Sequence, residues 1–152
     1  MEKPSVTASA VITLAEKLEE DSSKFYEELA KKYPQSKDVF LCFSKDSKNN
    51  RILIGRTYRE TITDAMEACF SFEGLSLPEI QSQGLLKKAT SYSETLKTAI
   101  ELEDNATEFY SNVLKCSVSF LATISNSFKK VNQKRKDRKL QLELMLKSYT
   151  PS

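Results

Sequence analysis

Apolar residues recur at spacings of three and four positions along most of the chain, which is the pattern of helices that bury one face. Between positions 9 and 32 they form a single stripe, made of Val11, Leu14, Ala15, Leu18, Phe25, Tyr26 and Leu29. The stripe predicts a long first helix over 9–32. This helix should end near Tyr33, because the proline at position 34 disfavours helical geometry in the residue before it.

Three further stretches follow the same pattern and predict helices over 36–72, 91–115 and 117–148. Ser36 is suited to cap the second helix, and Gly74 is placed to stop it. Between the second and third helices, Gly74, Pro78 and Gly84 form the densest group of helix-breaking residues in the chain. We therefore expect two helical hairpins joined by a long crossover over 73–90.

The first and third predicted helices contain the same segment. Residues 18–26 have the sequence LEEDSSKFY, and residues 102–110 have the sequence LEDNATEFY. Each copy places one glutamate, Glu19 or Glu103, inside an otherwise apolar stripe. We interpret the 152 residues as a single domain made of two helical-hairpin repeats, one over 9–72 and one over 91–148.

The composition agrees with a helical bundle and excludes several kinds of chemistry. Only 3 glycines and 4 prolines are present, too few for the turns of a many-stranded sheet. The chain has no histidine, which is the commonest general base and metal ligand. It also lacks nucleotide-binding and hydrolase motifs, a secretory signal, and any run near the roughly 20 apolar residues of a membrane span. We therefore expect a soluble cytoplasmic protein with no membrane partner.

The three cysteines, Cys42, Cys69 and Cys116, form no C-x-x-C pair. Their odd number and wide spacing argue against a disulfide framework, a redox dithiol or an iron site of the rubredoxin type. Because unpaired cysteines usually behave as small hydrophobic residues, we expect all three to be buried and reduced.

The repeated segment resembles the corresponding helices of the rubrerythrin branch of the ferritin-like superfamily. This resemblance implies an all-α fold, a ferritin-like four-helix bundle built from two helical hairpins with a long crossover between helices 2 and 3. In that family each repeat supplies a Glu from its first helix and a Glu-x-x-His from its second, and these residues surround two iron or manganese ions. Glu19 and Glu103 match the first kind of ligand.

The second helix of each repeat departs from the family's pattern. When Phe40 and Phe128 are matched, the four positions of the Glu-x-x-His ligands are occupied by Ser47, Asn50, Arg135 and Arg138. The nearest acids, Asp46 and Asp137, each precede a ligand position by one residue, which turns them by about 100° around the helix. Two glutamates alone fall short of the ligands that a pair of divalent ions requires. The resemblance therefore implies a degenerate dimetal site with no cofactor; the alternative is two Fe or Mn ions held by Glu19, Glu103 and unorthodox ligands.

Two inward carboxylates without a metal would repel one another, so they must be protonated or paired with cations. Arg135 and Arg138 are three residues apart and share one helix face. We hypothesise that they occupy the space of the lost metals and pair with Glu19 and Glu103. The side chains expected to add hydrogen bonds are Tyr26, Tyr110, Ser47 and Asn50. The alternative interpretation places both arginines on a solvated basic face.

That alternative has support, because seven positively charged residues lie between positions 129 and 139. Besides the two arginines they are Lys129, Lys130, Lys134, Lys136 and Lys139. Such a run would attract nucleic acid or another polyanion. No aromatic residue and no glycine accompany it, so a solvated helix face is the commoner meaning.

Three hypotheses of function follow. The first is a rubrerythrin-like, metal-free bundle with a structural or interaction role, which the resemblance implies to be a homo-oligomer. The second is a non-heme diiron or dimanganese oxidoreductase or peroxidase of the rubrerythrin kind. The third is a protein that binds polyanions through the basic part of the fourth helix. The sequence leaves open whether the chain is an enzyme, and the first hypothesis does not require it to be.

Overall fold

The computed structural model describes residues 6–61, 71–72, 91–116 and 122–149. In chain order the elements are β1 (Val6–Thr7), α1 (Ala8–Lys32), a 3-10 turn (Pro34–Ser36), α2 (Lys37–Thr61), β2 (Ser71–Phe72), α3 (Tyr92–Cys116) and α4 (Ala122–Ser148). The two short strands pair in antiparallel orientation, with Val6 opposite Phe72 and Thr7 opposite Ser71. The four helices make up nearly all of the described chain.

The predicted helices are present, and the end of the second one differs from its predicted position. α1 and α3 agree with prediction to within one residue at each end. The second helix was predicted to run to position 72, which is wrong at its end, because the backbone of Ser71 and Phe72 is extended and bonds to β1. α4 is described from Ala122, and the predicted start at 117 lies outside the described residues. The predicted crossover over 73–90 lies outside the described residues.

Successive helices form two antiparallel hairpins. The Ser23 hydroxyl lies 3.0 Å from that of Ser44, and the Asn50 amide donates to Glu19 at 2.8 Å. A lower residue number on α1 is thus paired with a higher residue number on α2, so the two helices are antiparallel. α3 and α4 pair in the same way.

The two hairpins pack side by side. Thr57 bonds Ser127 at 3.0 Å, and Ser47 bonds Arg138 at 3.0 Å, so α2 and α4 are antiparallel neighbours. The same argument makes α1 and α3 antiparallel neighbours. α2 and α3 therefore run in the same direction. This arrangement is an all-α four-helix bundle with a crossover between its second and third helices.

The core consists of two apolar clusters separated by a polar layer. The first cluster uses the N-terminal half of α1, including Val11, Ala15 and Leu18, and the second uses its C-terminal half, including Phe25 and Leu29. Between them the interior contains buried charged and polar side chains from all four helices, namely Glu19, Ser47, Asn50, Glu103, Arg135 and Arg138. A bundle of this size normally fills its centre with apolar residues, so this layer is the feature of the fold that requires a chemical explanation.

Cys42 is exposed on α2, so the prediction that it is buried was wrong. It follows the fully buried Phe40 by two positions, which turns its side chain about 200° around the helix, away from the core. Cys69 and the side chain of Cys116 lie outside the described residues. No described helix is both long enough and apolar enough to cross a membrane.

A buried charge cluster at the centre of the bundle

The cluster is built on two carboxylates, Glu19 of α1 and Glu103 of α3, and both residues are 0% exposed. Each belongs to the inward stripe of its helix, where the flanking inward positions are apolar, such as Ala15 before Glu19 and Ala99 before Glu103. α1 and α3 are neighbours, so the two repeated glutamates are directed into the same interior space. A carboxylate without partners in such a place would carry a large desolvation cost.

Arg135 of α4 lies between the two carboxylates and is 1% exposed. Its Nη1 donates to both carboxylate oxygens of Glu103, at 2.8 and 2.9 Å. Its Nε donates to Glu19 Oε2 at 3.1 Å, and its Nη2 donates to the same oxygen and to Ser22 Oγ, the latter at 2.8 Å. One planar guanidinium group therefore joins the first helix of each repeat, a geometry that a lysine could not reproduce.

Arg138 lies one turn further along α4 and has a different set of partners. Its Nη1 donates to Ser47 Oγ at 3.0 Å and to Glu103 Oε1 at 3.1 Å. Its guanidinium carbon is 5.3 Å from the ring centroids of both Tyr26 and Phe43. At that distance the ring faces attract the cation, so the aromatic rings stabilise the charge that the single carboxylate contact leaves partly unpaired.

The two tyrosines of the repeated segment, Tyr26 and Tyr110, each donate a hydrogen bond to the carboxylate of the other copy. Tyr26 OH donates to Glu103 at 2.7 Å, and Tyr110 OH donates to Glu19 at 3.0 Å. Each repeat thus hydrogen-bonds the glutamate of the other one. The Nδ2 of Asn50 donates to the remaining oxygen of Glu19 at 2.8 Å. Every carboxylate oxygen in the cluster accepts at least one hydrogen bond.

The electrostatics of the cluster are balanced, because two arginines face two glutamates. Burial alone would raise the pKa of Glu103, but the charges of Arg135 and Arg138 and the hydrogen bond from Tyr26 hold it below its ordinary value. Burial would lower the pKa of Arg135, but the two glutamates raise it well above its ordinary value. Burial, and then the neighbouring carboxylates, raise the pKa of Tyr26 and of Tyr110 well above the ordinary value. At neutral pH Glu103 and Arg135 are therefore charged, and Tyr26 and Tyr110 are neutral.

A dimetal centre does not fit these residues. The oxygens that would bind metals are occupied by arginine, tyrosine and asparagine donors. Within the described part of the chain, no three or more His, Cys, Asp or Glu side chains come together in a way that would hold a metal ion. Guanidinium groups cannot be deprotonated in proteins, so Arg135 and Arg138 cannot serve as ligands. We therefore derive no metal chemistry from this site.

The cluster has little free space around it. A crevice between α1 and α3 reaches Tyr26 and Glu103 and has a volume of about 10 Å³. A water molecule needs about that much, so an organic substrate would not fit. A second cavity, of about 430 Å³, is an open groove between α1 and α2 that is lined by Glu27, Lys48 and Ile52 among others. In that groove Lys48 and Glu27 are paired with one another at 2.7 Å.

The structure brings together all the positions that the sequence singled out at the centre. The expected contacts of the two arginines with the two glutamates are present, and so are those of both tyrosines, Ser47 and Asn50. The alternative placement of Arg135 and Arg138 on a solvated face was wrong. Sequence reasoning missed Ser22 and Phe43, although each lies about one helical turn from a recognised position, Glu19 and Ser47 respectively.

The basic run of α4 is divided between the inside and the outside of the bundle. Its four exposed members are Lys129, Lys130, Lys134 and Lys136. Lys139 is partly exposed and pairs with Asp104 at 2.5 Å. Only the two arginines turn inward, because their positions repeat at the spacing of the buried Phe128, Val131 and Leu142.

The fold can be compared with known structures. A crystal structure from Thermotoga maritima, provisionally described as that of a ferritin-like diiron-carboxylate protein, superposes with a TM-score of 0.82. The match covers 97% of this chain and 99% of that one, at 20% sequence identity. The chain has a ferritin-like fold. No protein-family model matches the sequence of this chain, and no curated protein does either.

Proposed function

We propose that this ferritin-like bundle is a metal-free protein with a degenerate dimetal site, and that its role is structural or interactive. The observation that carries the proposal is the position of the Arg135 guanidinium, which lies between Glu19 and Glu103 and bonds to both. In the rubrerythrin-like proteins that the repeat resembles, the corresponding glutamates face the metals. Here they face a cation that belongs to the chain itself.

The energetics support this role for Arg135. A metal could reach both glutamates only after Arg135 had left them, and removing one partner of a buried ion pair costs about 3–5 kcal/mol. Arg135 is 1% exposed, so its guanidinium does not reach water from the position it occupies. Because Arg138 also contacts Glu103, a metal would meet a second fixed positive charge nearby.

The balance of charge gives a second, independent argument. Two divalent ions bring four positive charges, which ferritin-like centres balance with several carboxylates. The cluster has only two glutamates, and the two arginines neutralise both. Added metal ions would therefore leave uncompensated positive charge in a buried site.

The direct test is elemental analysis of the purified protein by mass spectrometry. It would be done on the protein as isolated, and again after anaerobic incubation with ferrous iron and with manganese. We expect essentially no bound metal in any sample. A content near two metals per chain would overturn the proposal and favour the alternative, a diiron or dimanganese oxidoreductase with unorthodox ligands.

A gain-of-binding variant tests whether the cluster occupies former ligand positions. The variant carries Ser47→Glu, Asn50→His, Arg135→Glu and Arg138→His, which rebuilds both Glu-x-x-His motifs. We expect it to bind about two metal ions per chain, as seen by titration with cobalt and its visible absorption. A matched control places the same motif one residue away, on the exposed surface, with Lys134→Glu and Asp137→His. A folded variant that binds no more metal than the control would contradict the degenerate-site interpretation.

The exposed lysines favour a second candidate, binding of a polyanion. Lys129, Lys130, Lys134 and Lys136 are all exposed, and none forms an ion pair with another described residue. Binding of a labelled oligonucleotide should then weaken steeply with salt, and Lys130→Ala with Lys134→Ala should reduce that dependence. Binding that is weak at low salt or insensitive to these substitutions would exclude this candidate.

A further inference from the structure

The outer side of α4 carries an apolar patch that the bundle does not use. Leu140 and Leu144 are 59% and 63% exposed, the highest values among the large apolar side chains of the described residues. They are four residues apart on one helix, so they are direct neighbours on its surface. By contrast, the exposed Leu41 and Ile52 on α2 lie eleven residues apart, which is about 16 Å along the helix.

Charged residues flank this leucine pair in a defined order. Asp137 precedes Leu140 by three positions, and Lys147 follows Leu144 by three, and both are exposed. The spacings of three, four and three keep the four side chains on one stripe that faces away from the core, as in the seam of a coiled coil. We call these four residues the α4 outer stripe. Along the helix its side chains are negative (Asp137), apolar (Leu140), apolar (Leu144) and positive (Lys147).

We propose that the α4 outer stripe binds the same stripe of a second copy of this chain, with the two helices antiparallel and a two-fold axis near position 142. Each Leu140 then lies opposite Leu144 of the second copy. Each Asp137 lies opposite Lys147 of the second copy, because 137 and 147 are equally far from the axis. A contact of this kind is isologous, so the same four residues supply both sides of the interface.

The charge order decides both the partner and the orientation. A parallel pair of α4 helices would place Asp137 against Asp137 and Lys147 against Lys147, and such like-charge contacts are unfavourable. The antiparallel pair converts all four contacts into attractive or apolar ones. The stripe is thus complementary to itself only in the antiparallel orientation, which is the argument for a second copy over an unrelated partner.

The size of the stripe predicts a weak dimer. It extends over eleven residues, from Asp137 to Lys147, or about 15 Å of helix. A contact between single helices of that length falls below the roughly 1,200 Å² of stable interfaces. Association should therefore be detected only at high protein concentration, and it should stop at the dimer because a two-fold contact closes on itself. This inference rests on the proposed function in one respect, since it names a partner for an interaction role.

The first experiment is sedimentation equilibrium of the full chain from about 1 μM to about 1 mM, the range of weak complexes. We expect a reversible equilibrium between monomer and dimer. Leu144→Ser should raise the dissociation constant roughly 100-fold, because two leucines are lost from each dimer. Leu41→Ser is the matched control on α2 and should leave it unchanged. A monomer at every concentration overturns the proposal, and so does a dimer that Leu144→Ser leaves intact.

A charge-swap experiment tests the antiparallel register itself. Asp137→Lys alone places lysine against Lys147 of the second copy, and Lys147→Asp alone places aspartate against Asp137. Each single variant should therefore dimerise less than the unmodified chain. The double variant, with Asp137→Lys and Lys147→Asp in the same chain, should recover association, because lysine and aspartate then lie opposite one another again in the antiparallel dimer and only in that orientation. If the double variant does not restore association, the register is wrong.

The same samples separate this proposal from the proposed function. Metal content is measured on each sample alongside its mass in solution, and circular dichroism confirms that every variant is folded. A metal-free monomer would overturn the dimer and leave the degenerate site intact. A dimer with two metals per chain would do the reverse.

Discussion

Replacing Arg135 by methionine tests the central energetic claim about the bundle. Methionine retains most of the length and apolar volume of the arginine stem, so the cavity that it leaves is small. What it removes is the positive charge and every hydrogen bond from the guanidinium group to Glu19, Glu103 and Ser22. The two buried carboxylates then face Arg138 alone, and the cluster carries one uncompensated negative charge.

The structure sets the size of the expected effect. Glu19 and Glu103 are both 0% exposed, so neither can recover hydration by a small movement. Breaking a buried ion pair on one side costs about 3–5 kcal/mol, out of the roughly 5–15 kcal/mol that stabilise a typical domain. We therefore expect Arg135→Met to lose about 3–5 kcal/mol of unfolding free energy at neutral pH.

The assay is equilibrium unfolding in urea, followed by far-UV circular dichroism, with two comparison proteins. Lys134→Met changes the neighbouring exposed lysine and should alter the unfolding free energy by no more than about 0.5 kcal/mol. The double variant Arg135→Met with Glu103→Gln restores neutrality, because one arginine, Arg138, and one glutamate, Glu19, then remain in the cluster. It should be more stable than the sum of the two single changes predicts, by about 1–3 kcal/mol.

Two results would refute the reasoning. A loss in Arg135→Met as small as that in Lys134→Met would mean that the buried pairs contribute no net stability. Additive effects of Arg135→Met and Glu103→Gln would mean that the two side chains are not energetically coupled, whatever their distance.

Three further predictions follow from other parts of the structure. The pKa of Glu103 is lower in the folded than in the unfolded state, so the stability that its charge contributes is complete above the ordinary pKa of 4.5 and is lost as the pH falls through the folded pKa. In urea unfolding between pH 7 and 3, the difference in unfolding free energy between the unmodified chain and Glu103→Gln should therefore shrink in acid. A constant difference would contradict this. Of the 6 tyrosines, Tyr26 and Tyr110 should ionise only when the protein unfolds, because burial and the adjacent carboxylates raise their pKa. Tyrosinate absorbance should therefore rise in two stages at alkaline pH, and a single stage near pH 10 would argue against their burial. Gly55→Ala should raise the unfolding free energy by up to about 1 kcal/mol, because alanine favours the helix more than glycine does. The added Cβ meets only the flexible end of Arg59, at 3.2 Å, and that side chain can move. A lower melting temperature would show that this contact cannot relax.

The candidate site was predictable to an unusual degree because it sits on a repeat. The duplicated segment identified Glu19 and Glu103, and periodicity placed both on inward faces. Matching Phe40 to Phe128 then set the register of the other two helices. Local spacing is enough for such inferences, since a helix turns by a constant angle per residue. The bounds of α1 and α3 were predictable for the same reason.

The partners of individual atoms were not predictable in this way. Only the packed bundle shows that Arg135 spans both carboxylates, whereas Arg138 contacts one and lies between two aromatic rings. The end of the second helix was also mispredicted, because Ser71 and Phe72 pair with a strand more than 60 positions earlier in the chain. Periodicity within one segment contains no information about such a distant backbone partner.

The sequence by itself determined the helices, the repeat and the inward faces of α1 and α3, because each of these depends on neighbours within a few turns. The tertiary structure decided which charges meet, since Glu19 and Arg135 are 116 positions apart and come together only when all four helices pack. It also decided which side of α4 faces solvent and exposes Leu140 and Leu144. Both outcomes depend on distances between helices, which the hydrophobic pattern along one helix does not specify.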